Sequence, residues 1–214
     1  MLRNKSIYFV TIKLSKGVPM AHFPAFINFD DKKVLIIGGG LIAYEKVYHL
    51  LDFTKNITII SNELTQDIKE LIDNNNLKCI LKLYEKGDIS GFDIIVVAVD
   101  DLNLQAKIYE ESREYKCLCN CVDLQECCDF FFPAYIKKDD LIVAISTSGS
   151  SPAMAKQLRI FLSKIIPNSI GEFLKEMKEL RKTMPKGKER MKFLDKKVQG
   201  YINSWESSDE QKNK

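Results

Sequence analysis

The stretch VLIIGGGLIAYEK, residues 34–46, decides the fold of this chain. Its four branched apolar residues predict a short buried strand, which three glycines end. Apolar residues then recur at helical spacing over residues 41–53, so we predict a helix directly after the turn. A strand, a glycine turn and a helix bring bare backbone and free N–H groups to one point, which suits an anionic ligand.

The segments after this stretch repeat the alternation of strand and helix up to residue 122. Further strands are predicted at 57–60, 79–84, 92–99 and 117–122, with helices at 41–53, 63–76 and 101–115 between them. Alternation of this kind is typical of a parallel sheet with helices on both faces. The predicted fold class is α/β, with a Rossmann-like parallel sheet.

The pattern changes after residue 130. FFFPAYIKKDDLIVAISTSG predicts two strands around a polar turn, and SPAMAKQLRIFLSKII predicts a helix with proline in its first turn. We therefore expect a small α+β region followed by charged helices. The predicted divisions are an N-terminal extension, a nucleotide-binding domain, a dimerisation region (hairpin plus helix) and a C-terminal helical region, at 1–19, 20–130, 131–166 and 167–214.

Composition narrows the classes of partner. The 214 residues are 45% hydrophobic and 29% charged, and the net charge of +3 is too small to indicate a nucleic-acid-binding protein. No apolar run reaches the roughly 18 residues of a membrane span, and the N-terminus lacks a signal-peptide cleavage pattern. We expect a cytoplasmic protein with neither a membrane nor a nucleic acid as partner.

The glycine turn fits the GxGxxA form of the dinucleotide fingerprint, at residues 38–43. In that interpretation Gly38 permits the tight turn, Gly40 lets the backbone approach a pyrophosphate, and Ala43 lets helix and strand pack closely. A purely structural turn is the alternative. The position in a first strand–helix unit favours nucleotide binding.

The end of the second predicted strand lacks the usual acid that holds the ribose hydroxyls. Asn62 or Glu63 is the candidate in its place, whereas helix capping by Ser61 or Asn62 is the alternative. No arginine is present there to accept a 2′-phosphate, so the sequence favours NAD over NADP.

Two polar stretches are candidates for the chemistry. Asn120 and Asp123 end the fifth predicted strand, at the edge where ligands of open parallel sheets bind, and Asp123 is a candidate general base. The hydroxyl-rich stretch 146–152 is a candidate for holding carboxylates through hydroxyls and N–H groups. Ordinary capping and turn formation are the alternatives for both stretches.

Five of the six cysteines lie within twelve residues, at Cys117, Cys119, Cys121, Cys127 and Cys128. Small buried hydrophobic side chains in a core strand are the favoured interpretation. A site for a soft metal is the alternative, although no CxxC pair is present.

Several motifs together resemble one known family. HFPAFINFDDKKVLIIGGGLIAYEK, VVAVDD, CNCVD, FFFPA and AISTSGSSPAMAKQLR follow one another in the order and spacing of the precorrin-2 dehydrogenase family of siroheme biosynthesis. The resemblance extends from about residue 22 to 165, and the charged helices that follow fit the family more loosely.

The resemblance implies NAD-dependent oxidation of precorrin-2 to sirohydrochlorin, followed in some relatives by insertion of ferrous iron or cobalt. It implies a homodimer formed through residues 131–166 and a tetrapyrrole as substrate. It also implies Asp123 as the catalytic carboxylate and no permanently bound metal, with Asp123 acting on a metal only during chelation. Contact of the Cys121 thiol with a metal during chelation is a separate hypothesis, drawn from its position two residues before Asp123 and not from the resemblance. The implied cofactor contacts are Gly38, Gly39, Gly40, Leu41, Ile42, Asn62 and Glu63. The candidate substrate contacts, taken from the two polar stretches described above, are Asn120, Ser146, Thr147 and Ser148.

Two positions depart from the family pattern, since Glu45 stands where many relatives have arginine and Val99 where they have threonine. Either change alters the surroundings of the cofactor. Two other functions therefore stay open, a regulatory module that binds NAD without turnover and a chelatase that has lost oxidation.

Overall fold

The computed structural model describes residues 22–210, so the predicted extension at 1–19 lies outside the described residues. Five parallel strands form the central sheet, in the order β3-β2-β1-β4-β5. They are β1 (Val34–Ile37), β2 (Ile57–Ser61), β3 (Lys78–Leu81), β4 (Ile94–Val97) and β5 (Leu118–Cys121). The sheet and its helices confirm the predicted Rossmann-like α/β class.

Both faces of the sheet are covered, which explains the continuous apolar runs of its central strands. Val34 and Ile36 of β1 pack with α1 (Leu41–Leu50) and α2 (Gln66–Asn75). Leu35 and Ile37 point the other way and share a core with α3 (Leu102–Tyr115). The period-two alternation of side chains thus places each helix layer on its own face.

The strand order creates a crevice at the carboxyl edge. The chain runs outward from β1 to β2 and β3, then returns to place β4 on the other side of β1 and continues to β5. The connections after β1 and β4 consequently leave the sheet in opposite directions. Ligands of open α/β sheets bind at this reversal point.

A separate two-stranded antiparallel sheet follows, formed by β6 (Ala134–Lys138) and β7 (Leu141–Ile145). The helix α4 (Pro152–Ile165) packs against it, and α5 (Ile170–Thr183) and α6 (Lys188–Glu210) complete the described chain. Ile136, Ile166 and Ile170 form the small core of this part, where Phe173 stacks on Tyr201 with ring centroids 3.9 Å apart.

Some predicted boundaries were wrong for physical reasons. The third strand stops at Leu81 rather than at residue 84, because its pairing partner β2 ends at Ser61. The helix α1 ends at Leu50 rather than at residue 53, and a turn follows in which the N–H groups of Phe53 and Thr54 both donate to the Leu50 carbonyl.

No helix between residues 22 and 210 has the length and apolar character that a bilayer crossing requires.

Candidate active site

The glycine turn begins at a position that only glycine can occupy. Gly38 has a φ of +126°, and a Cβ built there would lie 2.1 Å from the carbonyl oxygen of Ala98. Its N–H donates to the carbonyl of Ile60 at 2.9 Å. Gly38 therefore joins β1 to the ends of both neighbouring strands, β2 and β4, and sets the direction of the turn.

The second glycine brings the connection after β2 beside the turn. A Cβ at Gly39 would lie 2.1 Å from the carbonyl oxygen of Glu63, and the Thr65 N–H donates to the Gly39 carbonyl at 2.9 Å. Asn62 and Glu63 consequently lie next to the glycine turn, and both are exposed. The residues predicted to hold the ribose are thus brought together with those predicted to hold the phosphates.

The capping alternative for this connection was wrong. The helix α2 begins at Gln66 with Thr65 at its N-cap, so neither Ser61 nor Asn62 caps it. The Ser61 hydroxyl instead donates to the Glu63 carbonyl at 2.6 Å, which shapes the connection.

The third glycine, Gly40, borders open space. Nothing lies within 4 Å of a Cβ built at Gly40, and Gly40 is the N-cap of α1 without a side-chain hydrogen bond. Leu41 and Ile42 in the first helical turn are 63% and 39% exposed. Free N–H groups, an open approach and the positive end of the helix dipole suit a pyrophosphate, so these residues fit the nucleotide that the sequence predicts.

Asp123 lies just beyond β5, at the same carboxyl edge as the glycine turn. It is exposed, and its Oδ2 accepts a hydrogen bond from Nε2 of Gln105 at 2.8 Å. The Asp123 N–H donates to Oε1 of the same amide at 3.3 Å, and Nε2 also donates to the carbonyl of Val99 at 2.7 Å. Gln105 is fully buried, so the carboxylate is held from beneath and stays open to solvent above.

Asn120 is placed differently from its prediction as a substrate contact. It is 5% exposed, and its amide nitrogen donates to the carbonyl of Phe130 at 2.8 Å. This bond fastens the segment after β5 to the sheet. A direct contact with substrate stays a prediction, and the burial of Asn120 argues against it.

The cysteine cluster is part of the core. Cys117, Cys119, Cys121 and Cys127 are at most 4% exposed, as the favoured interpretation predicted. Cys121 donates to the Gln105 carbonyl at 3.4 Å, and a hydrogen bond with Cys119 together with burial raises the pKa of Cys121. A protonated thiol in this position is a poor metal ligand, so the structure gives no support to contact of Cys121 with a metal. The described residues contain no cluster of three side chains suited to a metal ion.

A cavity of about 870 Å³ lies between α1, the hairpin and α4. The predicted substrate residues Ser146, Thr147 and Ser148 line it. Phe131, Pro133, Ala134 and Ile145 supply apolar wall, and His49, Lys137, Lys138, Lys156 and Arg159 supply basic groups. A mixed apolar and basic cavity of this size suits a carboxylated small molecule.

The hydroxyl-rich segment of this wall forms a tight turn. The Ser148 N–H donates to the Ser146 hydroxyl at 3.1 Å, and the Ser151 N–H donates to the Thr147 hydroxyl at the same distance. Ser151 caps α4 by accepting from the Met154 N–H. The structural interpretation of this stretch is therefore confirmed, and the residues of the turn also line the cavity.

Three residues of the site escaped the sequence analysis. Gln105 lies within a predicted helix, where one glutamine has no distinguishing pattern. Lys156 and Arg159 resemble an ordinary charged helix face, although their spacing of three is a signal for a shared face.

Comparisons with known proteins agree with this geometry. A family model described as "Putative NAD(P)-binding" matches residues 25–134, which are 110 of the 214 residues. Siroheme synthase from Methylococcus capsulatus is 33% identical over 85% of this chain and 39% of its own length. Siroheme synthase from Psychrobacter arcticus is 32% identical over 76% of this chain and 30% of its own length. The chain thus spans less than half of these relatives.

A solved structure of SirC, a precorrin-2 dehydrogenase, shares the fold with a TM-score of 0.69 and 20% identity, over 89% of this chain and all of that one. The chain is thus similar to siroheme synthases over part of their length and shares the fold of SirC, and by the family match it belongs to the putative NAD(P)-binding family.

Proposed function

We propose that this protein oxidises precorrin-2 to sirohydrochlorin with NAD. The observation that carries the proposal is the position of Asp123, an open carboxylate held by Gln105 at the sheet edge that also carries the glycine turn. Names of the relatives point to the same pathway. A regulatory module that only binds NAD has no need for this carboxylate.

The reaction removes a hydride and a proton from the macrocycle. NAD supplies the hydride acceptor when it is bound. Asp123 takes the proton as general base, since its outer oxygen is free of hydrogen bonds within the described chain. Gly38 and Gly40 hold the cofactor at the edge, so the proton acceptor and the cofactor site stand at one end of the sheet.

NAD rather than NADP fits the connection after β2. Glu63 is exposed there and lies against Gly39, where its carboxylate would accept ribose hydroxyls and repel a 2′-phosphate. Glu45 in α1 is a second exposed carboxylate, in addition to Glu63. Binding of the two cofactors, compared by calorimetry, tests this choice, and tighter binding of NADP would contradict it.

Metal insertion stays outside the proposal, because no observation between residues 22 and 210 favours it.

A homodimer formed through α4 is part of the proposal. Met154, Leu158, Phe161 and Ile165 are exposed and spaced by four, three and four residues, so they form one apolar stripe. The cavity residues Lys156 and Arg159 lie on the opposite face of the helix. One face of α4 would thus meet a second copy while the other lines the substrate cavity.

Anaerobic incubation with precorrin-2 and NAD tests the function. We expect NADH and sirohydrochlorin to appear together. A folded protein that binds NAD and yields neither product would contradict the proposal.

A further inference from the structure

The two cations on the cavity face of α4 have no counterion in the structure. Lys156 and Arg159 are three residues apart, so their side chains leave the helix on the same side. Both line the cavity, Arg159 being half-buried and Lys156 exposed. Within residues 22–210 neither makes an ion pair or hydrogen bond that meets ordinary distance criteria.

The other basic groups of the cavity are already engaged. Lys138 donates to the carbonyls of Ser163 and Ile166 and to the Asn168 side chain, which holds the end of α4. Lys137 donates to the Asp52 carbonyl at 2.7 Å. These bonds do not neutralise Lys137 and Lys138, but they hold both ammonium groups against the protein. Within residues 22–210, Lys156 and Arg159 are the cavity lysine and arginine side chains without such a bond.

The remaining titratable groups of the cavity do not neutralise them. Burial lowers the pKa of His49, and nearby Lys46 lowers it further, so this imidazole is mainly neutral at pH 7. The Asp52 carboxylate accepts the hydroxyl of Tyr135, on the α1 side of the cavity. An acidic ligand would meet a net positive wall at α4.

We propose that Lys156 and Arg159 bind carboxylate groups of the tetrapyrrole substrate. This inference deepens the proposed function and rests on it. The planar guanidinium of Arg159 pairs with a carboxylate through two parallel hydrogen bonds, and Lys156 adds a mobile point charge. Across the cavity Phe131, Pro133 and Ile145 offer apolar surface to the ring itself. The two cations would then set which acidic arms of the macrocycle point toward α4.

Uroporphyrin, a tetrapyrrole with carboxylate arms on every ring, is the probe. Its binding to the full chain is followed by fluorescence for the wild type and for Lys156→Gln with Arg159→Gln. The matched control is Lys164→Gln, which removes one charge from an exposed position of the same helix outside the cavity. Thermal melting and NAD binding confirm that each variant is folded.

We expect the double variant to bind the probe roughly 10- to 100-fold more weakly, because it loses the charge-assisted hydrogen bonds of both cations, whose strength water at the open cavity partly screens. The control should bind like the wild type, and added salt should weaken wild-type binding more than that of the double variant. Equal affinity of the double variant and the control would overturn the inference, as would a wild type that does not bind the probe.

NADH formation from precorrin-2 is measured on the same preparations, which separates the two proposals. Oxidation by the wild type with equal probe binding in all variants would reject the role of Lys156 and Arg159 and keep the dehydrogenase. Probe binding that depends on both residues, without oxidation, would support the carboxylate site and reject the dehydrogenase.

Discussion

Gln105 contacts Asp123 through both ends of its side-chain amide. Nε2 donates to the Asp123 carboxylate at 2.8 Å, and Oε1 accepts from the Asp123 N–H at 3.3 Å. The same Nε2 donates to the carbonyl of Val99, two residues beyond the end of β4. One buried side chain thus fixes the candidate base relative to the strand that borders the cofactor crevice.

Replacement of Gln105 by leucine should therefore impair turnover more than binding. We expect kcat to fall roughly 10- to 100-fold with little change in KM or in NAD affinity, because a displaced carboxylate disturbs the transition state. Ser112→Ala is the control, since Ser112 is equally buried in α3 but does not touch Asp123. Steady-state kinetics on both variants checks this prediction. An equal loss of kcat in the two variants would show that Gln105 has a structural role only and does not position Asp123 for catalysis.

Alanine at Gly38 and at Gly40 should have opposite consequences. Gly38→Ala places a Cβ 2.1 Å from a carbonyl oxygen at a positive φ, so we expect a destabilised or unfolded protein. Gly40→Ala meets no atom within 4 Å and should fold, but its methyl would stand where the pyrophosphate approaches. Thermal melting and NAD titration separate the effects. Full NAD affinity in Gly40→Ala would contradict the cofactor site.

A charge within the apolar stripe of α4 should dissociate the dimer. Phe161→Lys changes a side chain that is 60% exposed, and burial of lysine in an apolar interface is unfavourable. Leu83→Lys is the matched control, because Leu83 is 70% exposed and far along the chain from α4. Light scattering after gel filtration should show a dimer for the control and a monomer for Phe161→Lys. A monomeric wild type would end this part of the proposal.

The cysteines should resist alkylation in the native protein at neutral pH. Burial raises the pKa of Cys128 to about 11, and it also raises the pKa of Cys127, so both thiols stay protonated. The thiolate is the reactive form, and labelling should accelerate as pH rises toward the pKa. Labelling with iodoacetamide at several pH values, followed by mass spectrometry, measures how fast each cysteine reacts. Full labelling is expected after unfolding. Rapid modification of Cys119 or Cys121 in the native state would contradict their burial.

The fold was predictable because its signals are local and agree with one another. The run at 34–37, the glycines and the apolar helix positions each specify β1, the turn and α1 without reference to the rest of the chain. The early end of β3 was not predictable, because it depends on where β2 stops pairing. The length of β3 is set by β2, the strand with which it pairs.

The site was predictable at the glycine turn, and less so around the carboxylate. Asp123 follows a strand at a recognisable edge, but the residue that holds it comes from the middle of α3. Lys156 and Arg159 of α4 can be recognised as candidate ligand-binding residues only from the cavity they line, because its other wall is formed by α1 and the hairpin. Such contacts join segments distant in sequence, and a single sequence carries no local pattern for them.

The central claim is best tested by comparing precorrin-2 oxidation in the wild type and in Asp123→Asn, under anaerobic conditions with NAD. Asp67→Asn, an exposed acid in α2, is the control. We predict that NADH formation falls at least about 100-fold in Asp123→Asn, the lower range for loss of a general base, while the control and all NAD affinities stay unchanged. Wild-type rates of oxidation in Asp123→Asn would contradict the account.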